Sequence, residues 1–299
     1  ERARRRRVAY AQGVLDIAAG SASLDFEDEE SELLEVGDLL DAELFAERHE
    51  RDPNLTAAER AAADRNWTFG HIIVDEAQEL SPMAWRLLMR RCPTRSMTVV
   101  GDVAQTGVES GTRTWADVFD PYVEHRWRME ELETSYRTPA EIMAVAGRLL
   151  AHIDPSLRPP RAVRETGVPP WFAEVDPDRL GARLAEETAR EAAEVGDGRI
   201  GVIVPVGRAA ELAATVAGAV PDAASGDDPD LESPVVVLTV RQAKGLEFDT
   251  VLVAEPAAIL AESVRGHSDL YVALTRATNR LGVVHSGQLP AALAPPVDD

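Results

Sequence analysis

Two adjacent carboxylates, Asp75 and Glu76, follow the short apolar run His71-Ile72-Ile73-Val74. Such a run predicts a strand buried in a parallel sheet, and ligands bind beyond the carboxyl ends of such strands. Two carboxylates there cost desolvation energy unless a cation or hydrogen bonds compensate. A hydrated Mg²⁺ on Asp75, with Glu76 polarising an attacking water, would offset that cost and supply a reaction. Capping of a helix N-terminus is the alternative.

A second polar cluster, Gly101-Asp102-Val103-Ala104-Gln105, follows the next predicted strand, Met97 to Val100. The amide of Gln105 could bridge a γ-phosphate, or the water that attacks it, to the protein. A turn stabilised by Gly101 and Asp102 is the competing interpretation.

Two arginines are candidates for contact with a phosphate. Arg137 lies at a predicted strand-to-helix junction, and Arg276 lies on a predicted helix whose other face is apolar. An arginine that reaches a transferring phosphoryl group is worth roughly 10³ to 10⁵ in rate. The chain has 31 basic residues, and all but one are arginines. A surface or ion-pair role is therefore the alternative for both.

Lys244 is the only lysine in the chain. A phosphate-binding P-loop needs its own lysine in Gly-x-x-x-x-Gly-Lys-Ser/Thr, where the ammonium reaches the β- and γ-phosphates. Lys244 lacks the upstream glycine and is followed by Gly245-Leu246, so the chain contains no P-loop. We therefore expect an N-terminal remainder of the same protein to carry that loop. For Lys244 we expect a phosphate-backbone contact or pairing with nearby carboxylates.

Composition narrows the classes of protein that this chain can represent. A net charge of −21 argues against a protein that coats nucleic acid along its whole surface, because such a protein would be basic. The charge permits one local basic groove, and it fits docking on a basic protein surface. It also fits a protein that is acidic only because the charge keeps it in solution. No apolar run approaches 18 residues, which predicts no membrane span. The single cysteine and the absence of a secretory signal predict a cytoplasmic location.

The elements that would position these residues alternate between strands and helices, which is typical of a layered α/β domain. A helical segment is predicted over residues 1–68, with helices at 2–19 and 33–50. Further helices are predicted at 82–91, 115–119, 139–150, 180–194, 209–217 and 269–278. Strands are predicted at 71–74, 97–100, 125–132, 171–175, 199–204, 235–240, 250–253 and 281–285.

Five segments in order resemble motifs II to VI of superfamily 1 helicases of the UvrD/Rep-like group. They are Asp75-Glu76-Ala77-Gln78, Gly101-Asp102-Val103-Ala104-Gln105, Ser135-Tyr136-Arg137-Thr138-Pro139, Ala243-Lys244-Gly245-Leu246-Glu247-Phe248-Asp249 and Tyr271-Val272-Ala273-Leu274-Thr275-Arg276-Ala277. The resemblance implies RecA-like (P-loop NTPase-type) domains with parallel sheets flanked by helices. These would be part of a first domain (69–131) and a complete second domain (132–288), followed by a tail (289–299).

The same resemblance implies ATP and Mg²⁺ as cofactors, bound in the cleft between the two domains. It assigns roles to eight residues by position. Asp75 would bind Mg²⁺, Glu76 would be the catalytic base, and Gln105, Arg137 and Arg276 would contact the γ-phosphate, with Gln105 as its sensor. Tyr136 would stack on the adenine, Glu247 would hold the ribose, and Gly245 would let the backbone approach closely.

Departures from the family pattern suggest a particular branch. Arg241 replaces the usual histidine of motif V and could contact a phosphate backbone. Residues 106–111 replace the aromatic platform for single-stranded DNA, so base stacking worth about 1–3 kcal/mol per base is in doubt. Trp115 remains a candidate for nucleic-acid contact, with core packing as its alternative. Residues 138–243 leave no room for the large inserted domain of UvrD and Rep.

These departures make the chain most similar to the HelD-like branch, whose members bind RNA polymerase. The implied function is ATP-driven remodelling or release of RNA polymerase from nucleic acid. The alternative is a UvrD/Rep-type helicase that translocates on single-stranded DNA, and a third interpretation is a binding module without ATPase activity. Either DNA or RNA is an expected partner, and a membrane is not. Because it lacks a P-loop, the chain alone is expected not to hydrolyse ATP.

Overall fold

The structure is a computed structural model, and it describes residues 68–294. The chain divides by compactness into Glu1–Thr68 and Phe69–Asp299. The helices predicted at 2–19 and 33–50 lie outside the described residues. The predicted division of the second unit at residues 131 and 132 stays a prediction.

The described part begins with a parallel pair of strands, β1 (Ile72–Val74) and β2 (Met97–Val99). They are joined through helix α1 (Pro82–Arg91), and helix α2 (Trp115–Val123) follows. Helix α1 begins where the sequence predicts, because Pro82 occupies its first turn and the Ser81 hydroxyl accepts the Ala84 N–H at 3.2 Å.

Helix α1 packs through one face. Trp85 and Met89, four residues apart, are buried against Val74 of β1. The Trp85 ring meets the Phe119 ring of α2 edge to face, with centroids 5.4 Å apart. This aromatic contact fixes α2 beside α1 and therefore positions the segment between β2 and α2.

The larger sheet contains six parallel strands in the order β5-β10-β9-β6-β8-β7. Their bounds are Trp171–Glu174 (β5), Ile200–Ile203 (β6), Ala223–Ala224 (β7), Val235–Leu238 (β8), Phe248–Ala254 (β9) and Ala277–His285 (β10). A separate parallel pair is formed by β3 (Thr134–Ser135) and β4 (Arg161–Ala162). Strands β6 and β8 are apolar along their whole length, and every residue in them is buried, as is typical of strands covered on both faces.

Helices cover both faces of this sheet. They are α3 (Ala140–Ile153), α4 (Leu180–Val195), α5 (Ala209–Ala219), α6 (Val240–Ala243), α7 (Pro256–Ala261) and α8 (Gly266–Thr275). Helices α3 and α8 pack into one apolar cluster, and α4 and α5 pack into another. The predicted α/β class is confirmed, because a parallel sheet is flanked by helices on both faces.

The strand predicted at 125–132 is wrong, because these residues form no strand and only Thr134–Ser135 pairs with a neighbour. Trp127 turns back instead of extending: its indole Nε1 donates to Asp120 Oδ1 at 2.9 Å, and its ring lies 5.5 Å from that of Phe119. The aromatic contact outcompetes an extended conformation in a segment rich in charge.

Two boundaries that differ from the prediction bear on the site. Strand β8 ends at Leu238, before the predicted Val240, because Thr239 and Gln242 form a capping box that starts α6. Helix α8 ends at Thr275, and Ala277 already belongs to β10. Arg276 therefore lies at the junction between a helix and a strand. Within residues 68–294, no helix has the length and apolar character needed to cross a membrane.

Candidate functional site

Asp75 and Glu76 follow β1 directly, and both are exposed. Asp75 Oδ1 accepts the Glu76 N–H at 2.9 Å. Glu76 has φ 49° and ψ 37°, in the left-handed region, which for a residue with a side chain costs about 1–3 kcal/mol. Such strain persists where the surrounding structure holds it, and it concentrates at functional sites.

Asp75 fits the expected Mg²⁺ in the chemistry of its donors. Its Oδ2 has no partner among the described residues, so a hard oxygen ligand is available. No group of three or more His, Cys, Asp or Glu side chains in residues 68–294 could enclose a metal ion. Mg²⁺ commonly binds through one or two carboxylates and keeps its remaining ligands as water and phosphate, so one exposed carboxylate suffices.

The cluster after β2 is connected to the cluster after β1. Asp102 caps a short 3₁₀ turn, with Oδ1 accepting the Ala104 N–H at 2.9 Å. Its Oδ2 accepts Gln105 Nε2 at 2.9 Å. Gln78, which is buried, accepts the Asp102 N–H at 3.1 Å and donates to Glu76 Oε2 at 2.6 Å. The turn that was the competing interpretation of the Gly-Asp segment is formed, and it holds Gln105. The contact of Gln105 to a γ-phosphate stays a prediction.

No role for Gln78 was predicted from the sequence. The sequence feature that could have indicated a role is its position in Asp75-Glu76-Ala77-Gln78, two residues after Glu76 and four after the end of the strand. Its partners lie after β2, so the hydrogen bonds could be found only once the two strands were paired.

Arg276 is the most buried cation of the site, with 4% of its surface exposed. Its Nη2 donates to Gln105 Oε1 at 2.9 Å, and the backbone oxygens of Val272 and Leu246 accept from Nε and Nη1, each at 3.2 Å. Among residues 68–294, no carboxylate lies within ion-pairing distance of its guanidinium.

The charge environment of Arg276 follows from this burial. Burial lowers the pKa of Arg276, the nearby charge of Arg137 lowers it further, and the carboxylates of Glu76 and Glu247 act in the opposite direction. A buried cation that has only neutral acceptors is costly. An anion such as a phosphate would offset this cost, which makes the guanidinium a suitable phosphate ligand.

Arg137 and Glu247, which were predicted to contact different parts of ATP, form an ion pair at 2.5 Å. Both side chains are close to half exposed, and an exposed pair contributes about 0–1 kcal/mol. Arg164 Nη1 donates to the Arg137 backbone oxygen at 3.1 Å and thereby fixes this loop. The neighbouring Tyr136 is 74% exposed, so its ring is available for stacking.

Lys244 pairs with Glu79, Nζ to Oε1 at 2.6 Å, in a site about three-quarters buried. The Gly107 N–H donates to the same oxygen at 3.0 Å. A Cβ on Gly107 would lie 2.1 Å from Lys244 Nζ, so a larger residue there would displace the ammonium from its present position. The pairing of Lys244 with a carboxylate, one of its two expected contacts, is present in the structure. The other, a contact to a phosphate backbone, stays a prediction.

The Lys244–Glu79 pair is expected to stabilise the fold. Replacing Lys244 by Met, or Glu79 by Gln, should lower the free energy of unfolding by about 1 kcal/mol, and the double replacement should cost less than the sum. Urea unfolding at low and high salt measures this coupling, which should persist in salt because the pair is partly buried. Strictly additive losses would show that the two side chains do not interact in solution.

The remaining candidates do not join this network. Trp115 stacks on Phe119, with centroids 6.0 Å apart and planes 13° apart, and packs against the α1 and β1 core. Arg241 is exposed, without a partner among the described residues. Gly245 has φ 75°, which favours glycine, and its surroundings are open. The structure thus brings Glu76, Gln105 and Arg276 into one network and places the Arg137–Glu247 pair near it.

Comparisons with known proteins find similarity to helicases in sequence and in structure. No curated protein matches the chain in sequence. The C-terminal domain of a possible DNA helicase from Lactobacillus plantarum WCFS1 is 20% identical, with a TM-score of 0.42, over 54% of this chain and 92% of that one. An Arterivirus nonstructural protein 10 (helicase) solved with DNA is 18% identical, with a TM-score of 0.38, over 72% of this chain and 40% of that one.

The chain thus spans less than half the length of the viral helicase. The sequence similarity covers a shorter segment, which includes Lys244 to Asp249 and Arg276. Residues 234–284 match the family model of the UvrD-like helicase C-terminal domain, and this part of the chain is therefore similar to that family.

Proposed function

We propose that the chain is the C-terminal part of a superfamily 1 ATP-dependent motor of the HelD-like type. The motor uses ATP hydrolysis to remodel RNA polymerase or release it from nucleic acid. The proposal that the protein binds ATP rests on the buried Arg276, which is held by Gln105 and two carbonyl oxygens and has no carboxylate partner among residues 68–294. The match of residues 234–284 to the UvrD-like family supports the motor class.

In the proposed reaction, water attacks the γ-phosphorus of ATP in line with the departing ADP. Glu76 orients the water and accepts its proton, while Arg276 and Gln105 contact the γ-phosphate oxygens. Mg²⁺, held by Asp75, would offset charge on the phosphates. Catalysis of this kind depends on positioning and electrostatic stabilisation more than on covalent chemistry.

Nucleotide binding must rearrange the Arg137–Glu247 pair. Because that pair is exposed and weakly stabilising, a nucleotide can separate it at small cost. Arg137 would then turn to the γ-phosphate and Glu247 to the ribose hydroxyls, with Tyr136 against the adenine. The ion pair is therefore proposed as the nucleotide-free arrangement of these two side chains.

The phosphate-binding loop is proposed to belong to an N-terminal remainder of the same protein, because the chain's one lysine pairs with Glu79. The 299-residue chain alone is therefore expected to release no phosphate from ATP above background, measured with a coupled phosphate assay. Turnover by this chain that Glu76→Gln abolishes would contradict the expectation.

RNA polymerase is proposed as the main partner, and charge supports this. The net negative charge of the chain disfavours a large nucleic-acid-binding surface. Trp115, the aromatic candidate for base stacking, is packed against Phe119. An acidic protein can instead dock on the basic surface that normally holds nucleic acid.

The test is a pull-down of the full-length protein from a native lysate of its source. Stable co-purification of RNA polymerase subunits, followed by ATP-dependent release of polymerase from DNA, is the expected result. Arg276→Gln should still bind polymerase but fail to release it. If no polymerase co-purifies, strong stimulation of the ATPase by single-stranded DNA together with duplex unwinding would favour the UvrD/Rep-type helicase. The exposed Arg241 would then be the candidate contact to the DNA backbone.

A further inference from the structure

Gln78 lies between the two polar clusters and is 1% exposed. Its side chain spans the gap between the ends of β1 and β2, and its backbone oxygen accepts the Thr112 N–H at 2.8 Å. A Cβ on Gly101 would lie 2.5 Å from Gln78 Oε1, so only a glycine lets the amide enter. Both the backbone and the side chain of Gln78 are therefore held in place.

The orientation of the Gln78 amide follows from its partners. The Asp102 N–H can only donate, so the amide oxygen must face it, at 3.1 Å. The amide nitrogen then faces Glu76 Oε2, at 2.6 Å. One oxygen of the Glu76 carboxylate is thereby engaged, and Oε1 has no partner among the described residues.

The hydrogen bonds continue beyond Asp102. Its carboxylate holds the Gln105 amide nitrogen at 2.9 Å, and the Gln105 amide oxygen accepts from Arg276 at 2.9 Å. A continuous line of contacts therefore joins the proposed catalytic base to the proposed phosphate ligands. Gln78 is the member of this line that touches Glu76.

We propose that Gln78 is a positioning residue for Glu76 and links it to the loop that carries Gln105. The inference rests on the proposed function, in which Glu76 acts on the attacking water. Glu76 is exposed, so its carboxylate would rotate freely without the Gln78 hydrogen bond. With Oε2 held, Oε1 keeps one direction toward the water. A misplacement of about 1 Å in such a group can cost roughly 10²-fold in rate.

The experiment uses the full-length protein that contains this chain and a phosphate-binding loop. Gln78→Met keeps the length of the side chain but removes its donor and acceptor. We expect kcat for ATP to fall by roughly 10- to 100-fold, with KM for ATP changed less than about twofold. Gln78→Glu, which sets a second carboxylate against Glu76, should show a similar loss. In a Glu76→Gln background, Gln78→Met should add little, because the two residues act as a unit.

Thr188→Val is the matched control, since it removes a buried hydrogen bond to the Leu184 oxygen at 2.7 Å, outside the site. If Gln78→Met lowers kcat no more than this control while Glu76→Gln lowers it by roughly 10²-fold or more, the Gln78 inference is wrong and the proposed function stands. A rise in KM without a fall in kcat would also overturn it, as the mark of a structural role. Full turnover in Glu76→Gln would instead refute the proposed function.

Discussion

Replacing Arg276 by Gln is expected to reduce ATP turnover of the full-length protein by roughly 10³-fold or more. The guanidinium is buried, and its hydrogen bonds aim it from the helix-to-strand junction toward Gln105. The shorter, neutral amide can neither reach the phosphate nor offset the charge that develops in the transition state. The measurement is steady-state phosphate release at saturating ATP and Mg²⁺.

Arg148→Gln is the control for the Arg276 replacement. Arg148 also donates to backbone oxygens, those of Ala292 and Leu293, at 3.4 and 3.0 Å, but it lies outside the network. Its replacement should lower stability and leave turnover within about threefold, the scale of context-dependent variation in such effects. Comparable losses of turnover in the two variants would contradict a specific role for Arg276.

Glu76→Gln should reduce turnover by roughly 10²- to 10⁴-fold, the range expected for loss of a general base, while nucleotide affinity stays within a few-fold. The amide oxygen can still accept the Gln78 hydrogen bond, so the local structure should survive. Single-turnover phosphate release, with equilibrium dialysis of ATP alongside, separates chemistry from binding.

The matched control for Glu76 is Glu79→Gln. Glu79 lies three residues away but pairs with Lys244 and accepts the Gly107 N–H. Its replacement should affect stability more than chemistry. Unchanged single-turnover rates in Glu76→Gln would exclude Glu76 as the base.

The polar clusters could be predicted from the sequence because they depend on local order. A short apolar run followed by Asp75-Glu76 and another followed by Gly101-Asp102 each set a strand end, and parallel pairing brings those ends together. Helices α1, α4 and α5 could also be predicted from local sequence, because the spacing of apolar residues marks them and Pro82 marks the start of α1. Such features need no knowledge of tertiary contacts.

What could not be predicted depends on side-chain contacts between different elements of the fold. The Arg137–Glu247 pair joins a loop before α3 to the start of β9, and no local pattern marks it. The strand expected at 125–132 failed because Trp127 found Phe119 and Asp120 on a preceding helix. Gln78 likewise gained its role only when β1 and β2 were adjacent. Tertiary contacts decided all three.

We propose that ATP binds against Tyr136, next to Arg137 and the Gln105–Arg276 contact. Photolabelling of the full-length protein with 8-azido-ATP, followed by peptide mapping, measures where the adenine lies. We expect Mg²⁺-dependent labelling of the segment around Tyr136, competed by ATP and reduced in Tyr136→Ala. Labelling that ATP competes but that lies wholly outside residues 133–139 would show that the adenine binds elsewhere.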